Sequence, residues 1–240
     1  MLLCIDCGNT RVKWGLHDGH RWLRQDALLL AEIDRLTLEL SGLPLPSRVV
    51  ACSVAGEQAR GEIEESAHAL GVPLTWLESQ ASRCGVTNRY ANPAQLGADR
   101  WAALIGARHA FQGDCLVVNA GTATTVDVLD RNGVFQGGLI LPGLALMRAS
   151  LAGNTARLPL SNGAYHPLPR NTADAIASGA LQATAGAITR MFAHVAAGEG
   201  ATCLLSGGAA AALLPVLEVP WRAIDHLVLE GLVRVASEGA

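Results

Sequence analysis

Three short segments hold the residues that could do chemistry. The first is Asp6-Cys7-Gly8-Asn9-Thr10-Arg11-Val12-Lys13, at the end of the apolar run that opens the chain. Asp6 can hold Mg²⁺ directly or through water. Gly8 lets backbone come close to a phosphate, Asn9 and Thr10 add side-chain donors, and Lys13 can bring a positive charge to the end of a triphosphate. The second is Asn119-Ala120-Gly121-Thr122-Ala123-Thr124-Thr125, again after an apolar run. Its amides and hydroxyls suit the other side of the same polyphosphate. The third runs from Tyr90 through Pro93 to Gly97-Ala98-Asp99-Arg100-Trp101. Asp99 falls at the start of an apolar helix, whose N-terminus favours an ionised carboxylate. Beside a guanidinium, that carboxylate could orient an attacking hydroxyl and take its proton late in phosphoryl transfer. Plain turns and a helix cap would use the same residue types. The recurrence of the first pattern in the second segment favours the chemical reading.

These loops need strands to aim them. Residues 1–8, 10–16 and 20–28 read as an antiparallel meander with Asp18-Gly19 at one turn. Helical character follows at 31–40, a β-branched strand at 48–54, a helix at 57–70 and a strand at 72–77. A helix at 99–109 closes this half. The second half opens in the same way, with strands at 115–119, 124–129 and 134–141 and Asn132-Gly133 as the turn. A helix at 172–197, a strand at 201–205, Ser206-Gly207-Gly208 and a closing Ala/Leu helix follow. The expectation is an α/β protein of two domains, 1–110 and 111–240, built by duplication of one βββαβα unit. Three further segments have weaker chemical readings. Gly137–Gly143 is either a cleft lining or a strand end with a Pro-Gly turn, and Ser206-Gly207-Gly208 either receives adenosine or allows close packing. Asn171–Asp174 reads first as a helix cap, with a ligand contact by Thr172 as the sharper alternative.

Composition narrows the function classes. Half the residues are apolar, 16% are charged and the net charge is −3, so no basic surplus points to nucleic acid. The stretch 137–146 is too short and too broken by Pro and Gly to span a membrane. Met1 leads directly into a strand that contains Asp6, which argues against a signal peptide. The six cysteines are scattered, and Cys4 and Cys7 sit at an odd offset that points them to opposite faces of a strand. Free thiols and a reducing, cytoplasmic compartment are the expectation. The seven histidines show no metal-ligand spacing, and neither a Walker loop nor a G-x-S-x-G is present.

D-C-G-N-T-R-V-K, Y-A-N-P-A-Q-L-G-A-D-R, N-A-G-T-A-T-T and G-G-L-I-L-P-G occur in the order and approximate spacing of the type III pantothenate kinases, and the chain resembles that family from Met1 to at least Gly208. The resemblance implies the actin-like ATPase superfamily: two ribonuclease-H-like domains around a central nucleotide cleft. It implies ATP-dependent conversion of pantothenate to 4'-phosphopantothenate, the first step of coenzyme A synthesis. Residues Asp6 to Lys13, with Gly121 and Thr122, would bind ATP; Tyr90, Gly97, Ala98, Asp99, Arg100 and Thr172 would bind pantothenate; Asp99 would be the proton acceptor. It also implies a homodimer, Mg²⁺ at Asp6, and a monovalent cation, K⁺ or NH₄⁺, beside residue 119. The family's second loop usually begins with Asp. Asn119 keeps a carbonyl ligand without the charge, so weaker or altered K⁺ dependence is expected. Two rivals remain: a superfamily kinase for another small metabolite, and a nucleotide-binding regulatory protein without catalysis.

Overall fold

The computed structural model describes residues 1–154 and 162–238. In chain order come β1 (Leu2–Cys7), β2 (Arg11–His17), β3 (Trp22–Leu29), α1 (Leu36–Glu39), β4 (Arg48–Ser53), α2 (Glu57–Ala69) and β5 (Leu74–Trp76). A small hairpin, β6 (Ser82–Arg83) and β7 (Val86–Asn88), precedes α3 (Ala98–Ala110). Then come β8 (Cys115–Ala120), β9 (Ala123–Leu129), β10 (Val134–Pro142), α4 (Leu144–Asn154) and α5 (Thr172–Phe192). The last elements are β11 (Thr202–Ser206), α6 (Ala210–Leu213), β12 (Trp221–Ala223) and α7 (Leu227–Glu238).

The chain divides into two units, Met1–Phe111 with His226–Ala240, and Gln112–Asp225. The expected second domain, 111–240, therefore differs from the observed unit by its last helix. The reason lies in the first sheet, ordered β3-β2-β1-β4-β5. Every residue of β1 is buried, as a central strand with both faces covered requires. Leu3, Ile5, Val12, Trp14, Leu16, Val49 and Ala51 face Ile33, Leu36 and Ile63. Leu2, Cys4 and Val50 alternate to the other face and need a cover of their own. The strongly amphipathic α7 supplies it, packing on β1, β4 and α3. Its approach to α3 is close: a methyl group on Gly231 would collide with the carbonyl of Ala102, and one on Gly106 with that of Leu227.

In the second unit β10-β9-β8-β11-β12 repeats the first sheet strand for strand. In each, three antiparallel strands are followed by two parallel additions beside the first. The duplication expected from the two loop segments is thus a duplication of topology. Leu116, Val118, Val126 and Val128 pack with Ile188 of α5 and with Cys203 and Leu205 of β11.

Several elements differ from the sequence expectation. The helix expected at 31–40 is a 3₁₀ segment, Leu30–Arg35, kinked at Glu32 and followed by the single-turn α1. The β6–β7 hairpin was not expected, because its turn is Cys84-Gly85 and not Asn-Gly. Both residues are left-handed, with φ of 48° and 75°. Glu238 of α7 holds that turn by accepting from the Cys84 amide at 2.9 Å and from Arg83 Nε at 3.1 Å. β12 was also missed, since three exposed residues carry no periodic signal.

Candidate active site

The first phosphate-type loop begins where β1 ends. Val12 and Trp14 face the core, so their β2 neighbours Arg11 and Lys13 face the other side, where Asp6 lies. Register places Lys13, Asp6 and Cys52 in one row across β2, β1 and β4. Lys13 Nζ lies 3.7 Å from Oδ2 of Asp6, and the Cys52 thiol donates to Oδ1 at 3.8 Å. Asp6 is 6% exposed. Burial pushes its carboxyl up to about 6; Lys13 opposes this and nearby Asp99 adds to it. The buried carboxylate thus has only long contacts to both oxygens and a second carboxylate close by, an environment that favours a bound divalent cation. Among the described residues no group of three or more His, Cys, Asp or Glu could hold a metal ion. An ion at Asp6 would complete its shell with phosphate oxygens and water, which is how Mg²⁺ is usually held.

Within the loop, Gly8 donates to the Arg11 carbonyl at 3.0 Å, leaving Asn9 and Thr10 exposed at the tip. The side chains of Cys7 and Val12 point into the core, so only their backbone is available to a ligand. Cys4 lies on the opposite face from Cys7, and all six cysteines are free thiols.

The carboxylate proposed for catalysis sits in the first turn of α3, where the Arg100 amide donates to Asp99 Oδ1 at 2.8 Å. Gly97, just before the helix, leaves room for that oxygen: a Cβ there would stand 2.7 Å from it. Arg100 is 5% exposed and donates from Nη1 to the Tyr90 hydroxyl at 2.8 Å. Tyr90 is set in turn by Asn88, whose Oδ1 accepts from the Tyr90 amide at 3.0 Å and whose Nδ2 donates to the Pro93 carbonyl at 3.1 Å. The first unit thus pairs Lys13 with Asp6, brings Asp99 within electrostatic reach of Asp6, and couples Tyr90 to Arg100.

The second unit carries the other loop. Asn119 pairs in register with Thr125 and with Ser206. Gly121 donates to the Ala123 carbonyl at 3.0 Å, and Thr122 is exposed at the tip. The Pro142-Gly143 turn supports it: the Gly143 amide donates to the Thr122 carbonyl at 2.9 Å, and a Cβ on Gly143 would strike that backbone. Gly207, with φ of 100°, lies directly against the backbone of Ala120. Close packing therefore accounts for Gly207, but not for Gly208, where an added Cβ would meet nothing within 4 Å. Thr172 lies apart from this loop, as the first residue of α5, with Asn171 capping the helix by accepting from the Asp174 amide at 2.9 Å. It lines a pocket of about 870 Å³ between α4 and α5, with Met147, Leu151, Pro169, Arg170 and Ile176. The sequence reading missed Cys52, Asn88 and this pocket. Cys52 could have been found only by aligning β4 with β1 in register, since nothing in its local sequence marks it.

Two copies of one five-stranded unit, each with a Gly-containing loop after its first strand, define an actin-like ATPase and sugar-kinase fold of two ribonuclease-H-like domains. Solved structures share it. MreB5 of Spiroplasma citri, in a structure bound to ADP, matches with a TM-score of 0.51 and 10% identity over 100% of this chain and 98% of that one. A Campylobacter jejuni protein provisionally named a conserved Baf family transcriptional activator matches with a TM-score of 0.66 and 20% identity, covering 99% and 98%. The chain belongs to the type III pantothenate kinase family, whose model matches residues 2–194. The type III pantothenate kinase of Aromatoleum aromaticum is 54% identical to it over 240 residues, 100% of this chain and 99% of that one.

Proposed function

We propose that this chain transfers the γ-phosphoryl group of ATP to the 4'-hydroxyl of pantothenate, the entry step of coenzyme A synthesis. The observation that carries the reading is the grouping, in the first unit of a family member, of a buried Asp6 with Lys13 and of Asp99 at the mouth of α3. Mg²⁺, when bound, offsets charge on the β- and γ-phosphates. Asp6 would hold it, and Lys13 would meet the phosphate end of the nucleotide. The amides of residues 7–10 would bind further phosphate oxygens, and Gly121 and Thr122 are the ATP-binding residues we propose in the second unit. Asp99 orients the attacking hydroxyl. As the new P–O bond forms and the bond to ADP breaks, the hydroxyl proton passes to its free carboxylate oxygen, the other being held by the Arg100 amide. Arg100 would anchor the substrate carboxylate through its guanidinium fork. It would present the Tyr90 hydroxyl to pantothenate, and Gly97 and Ala98 would bring the helix start against the substrate.

Thr172, on the rim of its pocket, would be a further pantothenate contact. We further propose a homodimer, supported by the exposed Leu151 at that pocket and by the exposed Leu146 and Leu168. A cytoplasmic location fits six free thiols. Among the described residues no helix is long and apolar enough to cross a membrane. K⁺ or NH₄⁺ would bind beside Asn119, more weakly than at an Asp. Incubation with MgATP and a panel of pantothenate, hexoses and acetate, read by mass spectrometry, tests the assignment. Phosphopantothenate alone is expected. A phosphorylated sugar or acetate in its place would move the chain to another kinase class, and nucleotide binding without any product would favour a regulatory role.

A further inference from the structure

We infer that Cys52 is a positioning residue of the phosphate-transfer site: its thiol donates to Oδ1 of Asp6 and fixes the orientation in which the carboxylate would hold the cation. The inference rests on the reading of Asp6 as the Mg²⁺ ligand. Three observations support it. Cys52 is fully buried and in direct register with Asp6 on the neighbouring parallel strand, so its side chain shares the Asp6 face and cannot turn to solvent. The thiol donates to Oδ1 at 3.8 Å, and Lys13 Nζ lies 3.7 Å from the other oxygen. The row also recurs. Lys13–Asp6–Cys52 in the first sheet corresponds, strand for strand, to Thr125–Asn119–Ser206 in the second. In both units the position beside the acidic or amide side chain holds a small side chain with one S–H or O–H, and both are buried.

The chemistry explains why a thiol suits the place. A carboxylate that binds a cation needs its negative charge kept and its orientation fixed. A thiol is a weak donor: it selects an orientation and withdraws little charge. Outer-shell donors of this kind orient metal-binding carboxylates, and their loss typically weakens the metal without removing a ligand.

The test uses Mn²⁺ as the probe, with ATP and the full-length protein, in the wild type, Cys52→Ser, Cys52→Val and Cys52→Ala. Mn²⁺ affinity in the presence of ATP is measured by electron paramagnetic resonance without pantothenate, and the Mg²⁺ activation constant, kcat and the pantothenate KM are measured in parallel. Val fills the space without donating, so Cys52→Val should weaken Mn²⁺ by roughly ten-fold and raise the Mg²⁺ activation constant to match. The pantothenate KM should stay level, and the melting temperature should stay near wild type. Ser, a donor, should bring Mn²⁺ affinity back to within about three-fold of wild type, and Ala should behave like Val. If Cys52→Val binds Mn²⁺ as the wild type does, or if Ser and Val fail alike, the inference is wrong while the reading of Asp6 stands. If the wild type itself binds no Mn²⁺ with ATP, the reading of Asp6 fails and the inference with it.

Discussion

A methyl group at position 97 would stand 2.7 Å from Oδ1 of Asp99 and would have to displace it. The backbone of Gly97, with φ of −56°, accepts alanine without strain, so the clash is with the carboxylate alone. Gly97→Ala should therefore lower kcat by about ten-fold or more while the melting temperature stays within a few degrees of wild type. A variant with wild-type kcat would mean that the position of Asp99 does not matter to the reaction. At this scale the sequence was legible wherever a residue type and its neighbours carry the signal, as at Asp6, Lys13, Asp99 and the glycines beside them. Arg100 was legible as a participant but not as a buried partner of Tyr90. Cys52 was not legible, because its meaning comes from a strand more than forty residues away.

Helix α7 is the element whose place the sequence did not reveal. Its amphipathic pattern says that it covers something, and the pattern is silent on which sheet. What it covers is the α3 face of the first sheet, through backbone contact at Gly231 and Gly106. Gly231→Ala forces the two helices apart and should cost about 3 kcal/mol, seen as a lower urea midpoint with an unchanged slope. An unchanged midpoint would mean that α7 docks loosely. The same element creates a pH dependence. His17 on β2 is buried, its Nδ1 accepts the Gly19 amide at 3.1 Å, and its ring meets Trp22 edge-on, which in turn donates to Glu230 of α7 at 2.6 Å. Burial holds the imidazole below its ordinary value, as do Arg234 and His20, against Glu230 and Asp18. A histidine with a lowered folded pKa binds its proton more readily unfolded. Its contribution is present above about pH 6.5 and is lost as pH falls below that. The wild type should lose melting temperature between pH 7 and 5.5, and His17→Gln should show a shallower loss. Equal slopes would remove His17 from this account.

Over the whole molecule the duplication is the organising fact. It was readable in two loops of similar make-up, and the matching strand orders of the two sheets bear it out. The partition of the last helix was not readable, since chain order does not say which unit a terminal segment returns to. Duplication also frames the change at residue 119, the counterpart of Asp6 in the second sheet. With no charge there, K⁺ should stimulate turnover weakly, and Asn119→Asp should steepen the response. Strong K⁺ activation in the wild type that Asn119→Asp leaves unaltered would contradict this.

The central claim is that the chain phosphorylates pantothenate with Asp99 receiving the proton. The most direct measurement is mass-spectrometric detection of phosphopantothenate from MgATP and pantothenate, for the wild type beside Asp99→Asn, with ATP binding measured on both. The wild type should give product and equimolar ADP, and the variant should lose about a hundred-fold or more at unchanged ATP affinity. No phosphopantothenate from a wild type that binds ATP, or a variant within ten-fold of it, would contradict the account.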